Sequence, residues 1–381
     1  MLNSLNITNY RNLKHLRISS LGRVNLFTGK NNTGKSAILE AIAIYATKGD
    51  LAMIFQLLGE RGENVRQWDT NKNRIESNMK ILSSLFTDRV VGFDKDHTIS
   101  IGSLNDTLLV KETSSDKSIT LRFVRYFDDI NEVDLFGNIT SRSKRIIEEN
   151  DPENAIGDYK LGLEIKALDR NFIMPFEEEK PLNRFHIIGG SLNQDNIQFI
   201  RTRNIDNEIN SKLWDNITLT EKEKYAIEAL KIIEPRTERI AFVGETPRER
   251  TPVIKLAGSN NILPLRSMGD GINRILTIIL ALVNSENGYL LIDEFENGLH
   301  YTVQEQLWNI VFKLADELNV QVFITTHSED CINGFENVIN NGINLRDGKL
   351  IRLENENGKI TQVEFSASEL KIATDQEIEI R

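Results

Sequence analysis

The sequence predicts an α/β fold with a mixed central sheet, an antiparallel β layer beside it and a helical lobe. Three observations predict the central sheet: a glycine-rich loop between an apolar strand and an apolar helix, and two further apolar strands that end in reactive polar side chains. Strands that alternate with helices are typical of α/β sheets, which bind ligands at the carboxyl ends of their strands. We therefore expect these three strand ends to form one site.

The glycine-rich loop is Gly29–Ser36, which reads GKNNTGKS and matches GxxxxGK[ST] at every fixed position. The apolar stretch Val24–Phe27 precedes it, and apolar residues at helical spacing follow it from Ala37 to Tyr45. A helix that begins in this way directs backbone N–H groups and the positive end of its dipole at a phosphate. The loop therefore predicts a site for a nucleoside triphosphate.

Individual residues of this loop have predicted roles. Gly29 and Gly34 allow backbone turns and a close approach that a side chain would block. Lys35 is expected to reach the β- and γ-phosphates, and the Ser36 hydroxyl to hold Mg²⁺. The predicted phosphate-binding residues are Gly29, Asn31, Asn32, Thr33, Gly34, Lys35 and Ser36.

A second apolar strand, Tyr289–Ile292, leads directly into the adjacent carboxylates Asp293 and Glu294. Neighbouring side chains on an extended chain point in opposite directions, so the two carboxylates are predicted to have different roles. Asp293 is expected to orient the metal ion together with Ser36. Glu294 is expected to act as the general base that polarises the attacking water.

A third strand, Val320–Ile324, ends in a Thr-Thr-His-Ser segment that contains His327. The stretch Tyr301–Leu318 has the apolar periodicity of a crossover helix between the second and third strands, which are therefore expected to be parallel neighbours. That placement brings His327 within reach of a γ-phosphate, and we assign it a catalytic role.

The segment Ser267–Gly271 reads SMGDG and precedes an apolar helix. A small polar residue and glycines before a helix make an anion-binding N-terminus. Gly-Asp-Gly alone is equally typical of a turn. The position of the segment favours the anion-binding interpretation over a plain turn, because Ser267 lies 22 residues before the strand start at Tyr289 (289 − 267).

The order of these four motifs resembles an ABC-class ATPase head. Asn32, the SMGDG segment and the segment Asp293–His300, which reads DEFENGLH, are similar to the RecF, SMC and OLD branch of that class, often grouped with AAA-family ATPases and including the AbiLi and AriA types. The opening Leu5–Leu13 is also similar to that branch. The resemblance covers about the first fifty residues and those from about 262 to 330.

The resemblance implies ATP as the substrate, Mg²⁺ as the cofactor, and a homodimer or higher homo-oligomer in which the signature of one subunit completes the site of another. On that pattern Ser267, Gly269 and Gly271 contact a partner's ATP. Asn297 and His300 lie in the D-loop, which crosses the subunit interface.

Two further expectations come from the same resemblance. Asn9 and Arg11, at the end of the first strand, are placed beside the adenine. A loop glutamine that senses Mg²⁺ is also expected; Gln194 and Gln198 lie in the right region, and no motif selects either.

The middle of the chain predicts short helices and strands. Helices are expected around Leu51–Leu58 and Ile75–Leu85, and a third opened by a Thr220/Glu223 capping box and stopped by Pro235. The strand-like runs, which suggest the antiparallel layer, are Thr98–Ile101, Thr107–Lys111, Ile119–Val124 and Tyr159–Ile165. A hairpin is predicted around Asp347-Gly348.

We expect three units: an N-terminal ATPase lobe at 1–204, a helical signature subdomain at 205–285 and a C-terminal ATPase lobe at 286–381. The absence of a sustained heptad repeat argues against a coiled-coil arm. The 54 residues after His327 (381 − 327) are too few for the TOPRIM nuclease domain that OLD proteins carry.

Composition narrows the class of protein. Cys331 is the only cysteine among 381 residues, which excludes an internal disulfide and a cysteine-based zinc cluster. No apolar run is long enough to span a bilayer and no signal peptide is apparent, so we expect a cytoplasmic protein without a membrane partner.

The net charge of −10 argues against a general nucleic-acid coat. We expect the arginines of the middle region to be solvated or paired with Glu238, Glu245 and Glu249, although a DNA-binding patch formed in an oligomer stays open. These arginines are Arg201, Arg203, Arg236, Arg239, Arg248 and Arg250.

The leading hypothesis for function is an ATP-driven switch that controls a separate effector protein, a nuclease or a toxin, in bacterial antiphage defence. The alternative is a RecF-like DNA repair ATPase that clamps DNA. A transporter motor is disfavoured by the poor match to LSGGQ, and a scaffold without turnover by Glu294 and His327.

Overall fold

The computed structural model describes residues 1–63, 74–104, 118–133, 139–148, 159–167, 170–177, 196–201, 207–246, 249–340 and 347–376. Its strands, in chain order, are β1 (Leu5–Tyr10), β2 (Leu13–Ile18), β3 (Val24–Gly29), β4 (Ile99–Gly102), β5 (Ser118–Val133), β6 (Ile139–Ile147), β7 (Lys160–Ala167), β8 (Arg170–Pro175), β9 (Ile197–Ile200), β10 (Thr237–Val243), β11 (Thr251–Leu256), β12 (Ile262–Pro264), β13 (Tyr289–Ile292), β14 (Gln321–Thr325), β15 (Gly348–Glu356) and β16 (Lys359–Phe365). Its α-helices are α1 (Lys35–Ala46), α2 (Leu51–Glu60), α3 (Arg74–Ser83), α4 (Asn207–Asp215), α5 (Glu223–Leu230), α6 (Asp270–Val283), α7 (Tyr301–Glu317), α8 (Glu329–Asn340) and α9 (Ala367–Asp375).

A six-stranded sheet with the order β16-β15-β3-β14-β13-β9 forms the centre of the fold. Its strands are parallel except β16, which pairs with β15 in antiparallel orientation. Every residue of β3, β13 and β14 is buried, which explains why these strands are mostly apolar in the sequence. The polar exceptions Asn25 and Gln321 are hydrogen-bonded to backbone groups. The predicted mixed sheet, and the parallel pairing of the second and third strands, are confirmed.

The register of this sheet brings its functional segments to one edge. Phe27 of β3 lies opposite Thr325 of β14, and Ile292 of β13 lies opposite Ile324. The glycine-rich loop, Asp293 and the Thr-Thr-His-Ser segment therefore leave the sheet side by side. The helix between β13 and β14 is α7, as predicted.

The antiparallel layer is a seven-stranded sheet with the order β2-β1-β4-β5-β7-β8, in which β6 also pairs with β5. Together with α1 it encloses one apolar core, whereas α6, α7 and α8 enclose another on the opposite face of the central sheet. The predicted helices at α2 and α3 and the predicted strands at β4, β5 and β7 are confirmed. The predicted strand Thr107–Lys111 lies outside the described residues, as do Gln194, Arg203 and Arg248.

The signature lobe contains more than the predicted helices. Beside α4, α5 and α6 it has a three-stranded antiparallel sheet, β10-β11-β12. The inner face of that sheet includes Phe242, whose ring lies 5.8 Å from that of Trp214 on α4. Burial alternates along β10 from Ile240 to Val243, with Ile240 and Phe242 buried and Ala241 and Val243 exposed, which is consistent with a strand that has one face in solvent.

The predicted capping box at Thr220 is wrong. Helix α5 begins at Glu223, and the Glu223 carboxylate accepts a hydrogen bond from the backbone N–H of Leu219 (3.2 Å). Leu219 has a φ of +60°, and the Thr220 hydroxyl donates to the carbonyl of Ile217. Nor does Pro235 end the helix, which stops at Leu230.

The predicted hairpin is displaced by ten residues. Gly348 begins β15 and the Asp347 carbonyl accepts from Val24 N–H (3.0 Å), so this dipeptide joins the central sheet. The turn lies at Asn357-Gly358, where both residues have positive φ, the conformation that favours Asn-Gly in two-residue hairpins. Within the described part of the chain, no helix is long and apolar enough to cross a membrane.

Candidate nucleotide-binding site

The glycine-rich loop joins β3 to α1 with the backbone conformation that its glycines permit. Gly29 has a φ of +132° and Gly34 a φ of +91°, and a Cβ atom at Gly29 would lie 2.3 Å from the Leu353 carbonyl oxygen. Asn32 also has a positive φ, +62°. Because α1 begins at Lys35, its first N–H groups face the loop without carbonyl partners in the helix. The loop thus has the backbone geometry that an anion-binding cradle requires.

The Lys35 ammonium group lies inside this cradle. Its Nζ donates to the carbonyl oxygens of Gly29 (2.5 Å) and Lys30 (2.8 Å), and the residue is only 6% exposed. Burial lowers the pKa of Lys35 to about 8, against the opposing effect of the carboxylates of Asp293, Glu296 and Glu294. The cation is therefore held where a bound phosphate would lie, at the junction of the loop and the strand ends.

Ser36 and Asp293 meet although 257 positions separate them in the chain (293 − 36). The Ser36 hydroxyl donates to both oxygens of the Asp293 carboxylate, at 3.0 and 3.2 Å. The Thr325 hydroxyl donates to the same carboxylate at 2.6 Å. A hydroxyl and a carboxylate are the oxygen ligands that Mg²⁺ prefers, so the donor set fits the predicted metal.

Glu294 follows directly and has a φ of +53°, in the left-handed region. Its backbone N–H donates to the Thr325 hydroxyl (2.9 Å), and its carboxylate oxygen Oε1 lies 3.8 Å from Nε2 of His327. Both side chains are about one-third exposed, at 36% and 37%. The two predicted catalytic side chains are therefore adjacent and open to solvent.

Glu296 was not assigned a role from the sequence. Its carboxylate accepts hydrogen bonds from the Thr326 hydroxyl and from the backbone N–H of His327, both at 2.7 Å. Glu296 thus ties the segment after β14 to the segment after β13. Its position two residues after Glu294 was the available signal.

Arg274 was also missed. It lies on α6, is 3% exposed, and its guanidinium donates to the backbone carbonyls of Glu294 (2.8 Å), Asp293 (3.1 Å) and Arg201 (3.4 Å). Burial lowers its pKa, whereas the carboxylates of Glu296, Asp293 and Glu294 raise it. It is the only basic residue of an otherwise mostly apolar helix, a signal that the sequence did contain.

A cavity of about 1020 Å³ opens beside the glycine-rich loop. Its lining includes residues 31–37 of the loop and α1, together with Asn12, Arg89, His327 and Asn355. Six of the seven predicted phosphate-binding residues thus line one cavity with His327, and Gly29 forms the turn beneath them. This volume is at the upper end of those typical of small-molecule sites.

The predicted adenine contacts fit less well. Arg11 lines the cavity, but its guanidinium is turned inward to the carboxylates of Glu40 (2.7 Å) and Glu63 (2.9 Å), and the residue is 9% exposed. Asn9 is half-buried in β1 and is not among the described residues that line the cavity. Gln198 lies within β9, beside Leu290, and the structure assigns it no role.

The signature and D-loop segments lie elsewhere. Ser267 and Gly269 are exposed, the Ser267 hydroxyl donates to the Pro264 carbonyl (2.7 Å), and neither residue is in the described lining of the cavity. A Cβ at Gly271 would lie 3.1 Å from the Gly298 carbonyl, so the start of α6 adjoins the D-loop. His300 caps α7 by accepting from Thr302 N–H (3.5 Å).

Two arginines of the signature lobe are paired, with partners other than the expected ones, and Arg239 is exposed. Arg236 pairs with Glu234 (2.9 Å) and Arg250 with Asp215 on α4 (2.7 Å). Glu238 pairs instead with Lys255. Proximity in the chain did not identify Asp215, which lies 35 positions from Arg250 (250 − 215).

A family model described as "AAA ATPase domain" matches residues 1–163 and 165–332. The chain belongs to this AAA ATPase domain family. Together with the loop geometry, this membership makes the protein an ATP-binding ATPase.

Among curated proteins, this chain is similar to an "ATP/GTP phosphatase" of Helicobacter pylori. The two are 24% identical over 361 residues, which is 89% of this chain and 88% of the relative. An uncharacterized protein of Methanocaldococcus jannaschii is 36% identical over 61 residues, 16% of this chain and 28% of the relative. The first of these similarities is consistent with ATPase activity at a general level.

Two solved structures are similar over almost the whole chain. A crystal structure of an Smc head bound to the C-terminal winged-helix domain of ScpA has a TM-score of 0.49, with 12% identity over 98% of this chain and 99% of that one. An Smc head domain with an extended coiled coil, bound to a ScpA domain from Pyrococcus furiosus, has a TM-score of 0.47, with 11% identity over 99% of both chains.

Proposed function

We propose that this AAA ATPase hydrolyses ATP to ADP and phosphate in a site shared by two subunits, and that the cycle switches a separate effector protein. One observation carries the shared site. Residues 31–36 of the loop and His327 line one cavity. Asp293 contacts Ser36 (3.0 Å) and Glu294 lies 3.8 Å from His327, whereas Ser267 and Gly269 are exposed and neither is in the described lining. A signature that acts on nucleotide must then act on that of a second copy.

The residues of the cavity divide the chemistry among them. The backbone cradle and Lys35 hold the β- and γ-phosphates, and His327 lies beside the reacting group. Glu294 accepts a proton from the attacking water, whose oxygen bonds to the γ-phosphorus while the bond to the ADP oxygen breaks. Ser36 and Asp293 would hold Mg²⁺, which when bound neutralises phosphate charge.

In the proposed assembly each subunit provides half of two sites. Ser267, Gly269 and Gly271 contact the γ-phosphate of the partner's ATP, and Asn297 and His300 lie at the interface between the subunits. Because the same two surfaces meet twice in a two-fold dimer, both sites form together. A homodimer is the smallest assembly that satisfies this arrangement; a higher homo-oligomer can contain the same pair.

Glu294→Gln tests the assembly. This substitution removes the base and keeps the phosphate cradle, so the variant is expected to bind ATP without turnover and to accumulate as a dimer. Light scattering after size-exclusion chromatography measures its mass with and without ATP. The double variant Glu294→Gln/Ser267→Arg is the matched control and should stay monomeric. An E294Q chain that binds ATP and remains monomeric contradicts the shared site.

The effector is proposed to be a nuclease or a toxin, in bacterial antiphage defence. The resemblance of the motifs to the AbiLi and AriA types supports this role. Co-expression with the protein encoded by the neighbouring gene tests it, since an ATP-dependent complex is expected. Salt-sensitive DNA binding by ATP-bound E294Q, without such a complex, would instead support a RecF-like clamp. The net charge of −10 and the pairing of Arg236 and Arg250 argue against that outcome.

A further inference from the structure

We propose that Arg274 is a positioning residue for hydrolysis, which holds the backbone of the general base Glu294 in its left-handed conformation. This inference rests on the proposed role of Glu294. Arg274 lies on α6 and is 3% exposed, and its Nη1 and Nη2 donate to backbone carbonyls. It therefore acts through Glu294 rather than on the nucleotide.

The backbone of Glu294 has a left-handed conformation. Its φ of +53° is uncommon for a residue with a side chain, and such a conformation persists only where the surrounding structure stabilises it. Asp293 and Glu294 leave β13 together, and the left-handed turn at Glu294 redirects the chain there. The direction of the Glu294 carboxylate therefore depends on keeping this turn.

Both backbone polar groups of Glu294 form hydrogen bonds with side chains. Its N–H donates to the Thr325 hydroxyl (2.9 Å), and its carbonyl accepts from Nη2 of Arg274 (2.8 Å). The same nitrogen reaches the Asp293 carbonyl (3.1 Å), and Nη1 reaches the Arg201 carbonyl at the end of β9 (3.4 Å). One guanidinium thus forms hydrogen bonds with the chain at the ends of the neighbouring strands β9 and β13 and with the turn at Glu294.

An arginine is suited to binding several backbone carbonyls at once. A planar guanidinium presents several donors in a fixed geometry, which a lysine ammonium group does not reproduce. Arg274 is 3% exposed, and burying a cation is costly unless it is hydrogen-bonded and near negative charge. Nη1 and Nη2 meet this condition through the three carbonyls, and the carboxylates of Asp293, Glu294 and Glu296 supply the negative charge, whereas Nε has no hydrogen-bond partner among the described residues. An apolar helix has no need of such a residue for packing.

Arg274→Met and Arg274→Lys test the inference, with Arg236→Met as the control because Arg236 is an exposed, singly paired arginine of the same lobe. For R274M we expect kcat to fall about 10- to 100-fold, the worth of hydrogen bonds to a charged group. Affinity for a non-hydrolysable ATP analogue should stay within about threefold, since the cradle is untouched. R274K should lie between R274M and the unmodified chain, and R236M should match the latter.

A second measurement does not depend on R274M folding. In R274K, which keeps the buried charge, hydrogen–deuterium exchange should accelerate in the peptide that contains 293–296 and stay unchanged in β3.

In the E294Q background R274M should cause no further loss of the residual turnover, because the group that Arg274 positions is already absent. A further loss equal to that in the unmodified chain would overturn the inference, as would unchanged kcat and exchange in R274K.

The outcomes separate this inference from the proposed function. If E294Q keeps full turnover, Glu294 is not the base and the proposed chemistry fails. If E294Q is inactive while R274M and R274K keep full turnover, the proposed chemistry stands and only the role of Arg274 is wrong.

Discussion

The cavity edge of the central sheet and the signature surface differ in how complete they are. At the cavity edge, side chains from three strand ends contact one another: Ser36 reaches Asp293, Thr325 reaches Asp293, and His327 lies 3.8 Å from Glu294. At the signature surface, Ser267 is exposed and its hydroxyl donates to a carbonyl three residues back in its own turn. The first region is preorganised for a ligand within one chain, and the second is open.

This difference separates the functions that one chain can perform alone from those that need a second chain. Phosphate binding needs the cradle, Lys35 and the metal ligands, all of which one chain brings together. Hydrolysis at full rate, on our proposal, also needs the signature of a second chain. Binding and turnover should therefore respond differently to changes in the two regions.

The largest effect is expected at the cavity edge. Lys35→Ala removes a cation that is 6% exposed inside the cradle, so both ATP binding and hydrolysis should be lost. Lys30→Ala is the control, because Lys30 is exposed at a variable position of the motif and should retain binding. Calorimetry with ATP measures both variants. Tight ATP binding by K35A would show that the nucleotide does not bind in this cavity.

A change at the signature surface should affect turnover alone. Ser267→Arg places a bulky cation on the exposed turn, so kcat should fall about 100-fold or more, comparable to the loss of a transition-state contact. ATP affinity that depends on Lys35 should remain. Steady-state kinetics and calorimetry on the same sample separate the two quantities. Full turnover by S267R at any protein concentration would show that the signature has no role in hydrolysis.

The smallest effect is on pH dependence. Burial lowers the pKa of free Lys35 to about 8, and the phosphates of ATP favour its protonated form, so binding above pH 8 must take up a proton. Affinity should be flat below about pH 7 and should fall by up to about tenfold per unit as the pH rises above 8. Titrations of E294Q avoid hydrolysis during the measurement. A constant Kd up to pH 9.5 would contradict the assigned state of Lys35.

The cavity edge was largely predictable from sequence because its parts are short motifs at strand ends. The loop Gly29–Ser36, Asp293 and Glu294 each carry their structural context in a few neighbouring residues. The register of β3, β13 and β14 then brings them together, and the parallel sheet made that register predictable.

The residues that support the site were not predictable in this way. Arg274 is conspicuous as the single basic residue of α6, but its partners are backbone carbonyls, which carry no residue-specific signal. Arg11 turns towards Glu40 on α1, 29 positions away (40 − 11), so its sequence neighbours did not reveal that its guanidinium is engaged. The hairpin was misplaced because Asp347-Gly348 and Asn357-Gly358 are both turn dipeptides, and only strand pairing distinguishes them.

Mixing two inactive chains tests the shared site most directly. A Lys35→Ala chain keeps its signature, and a Ser267→Arg chain keeps its phosphate cradle. In a two-fold dimer of the two, one site combines the intact cradle with the intact signature. Equal mixing should therefore restore about a quarter of the unmodified turnover per chain, since half of the dimers are mixed and each has one intact site of two. Turnover that stays at the background of the separate variants would contradict the shared site.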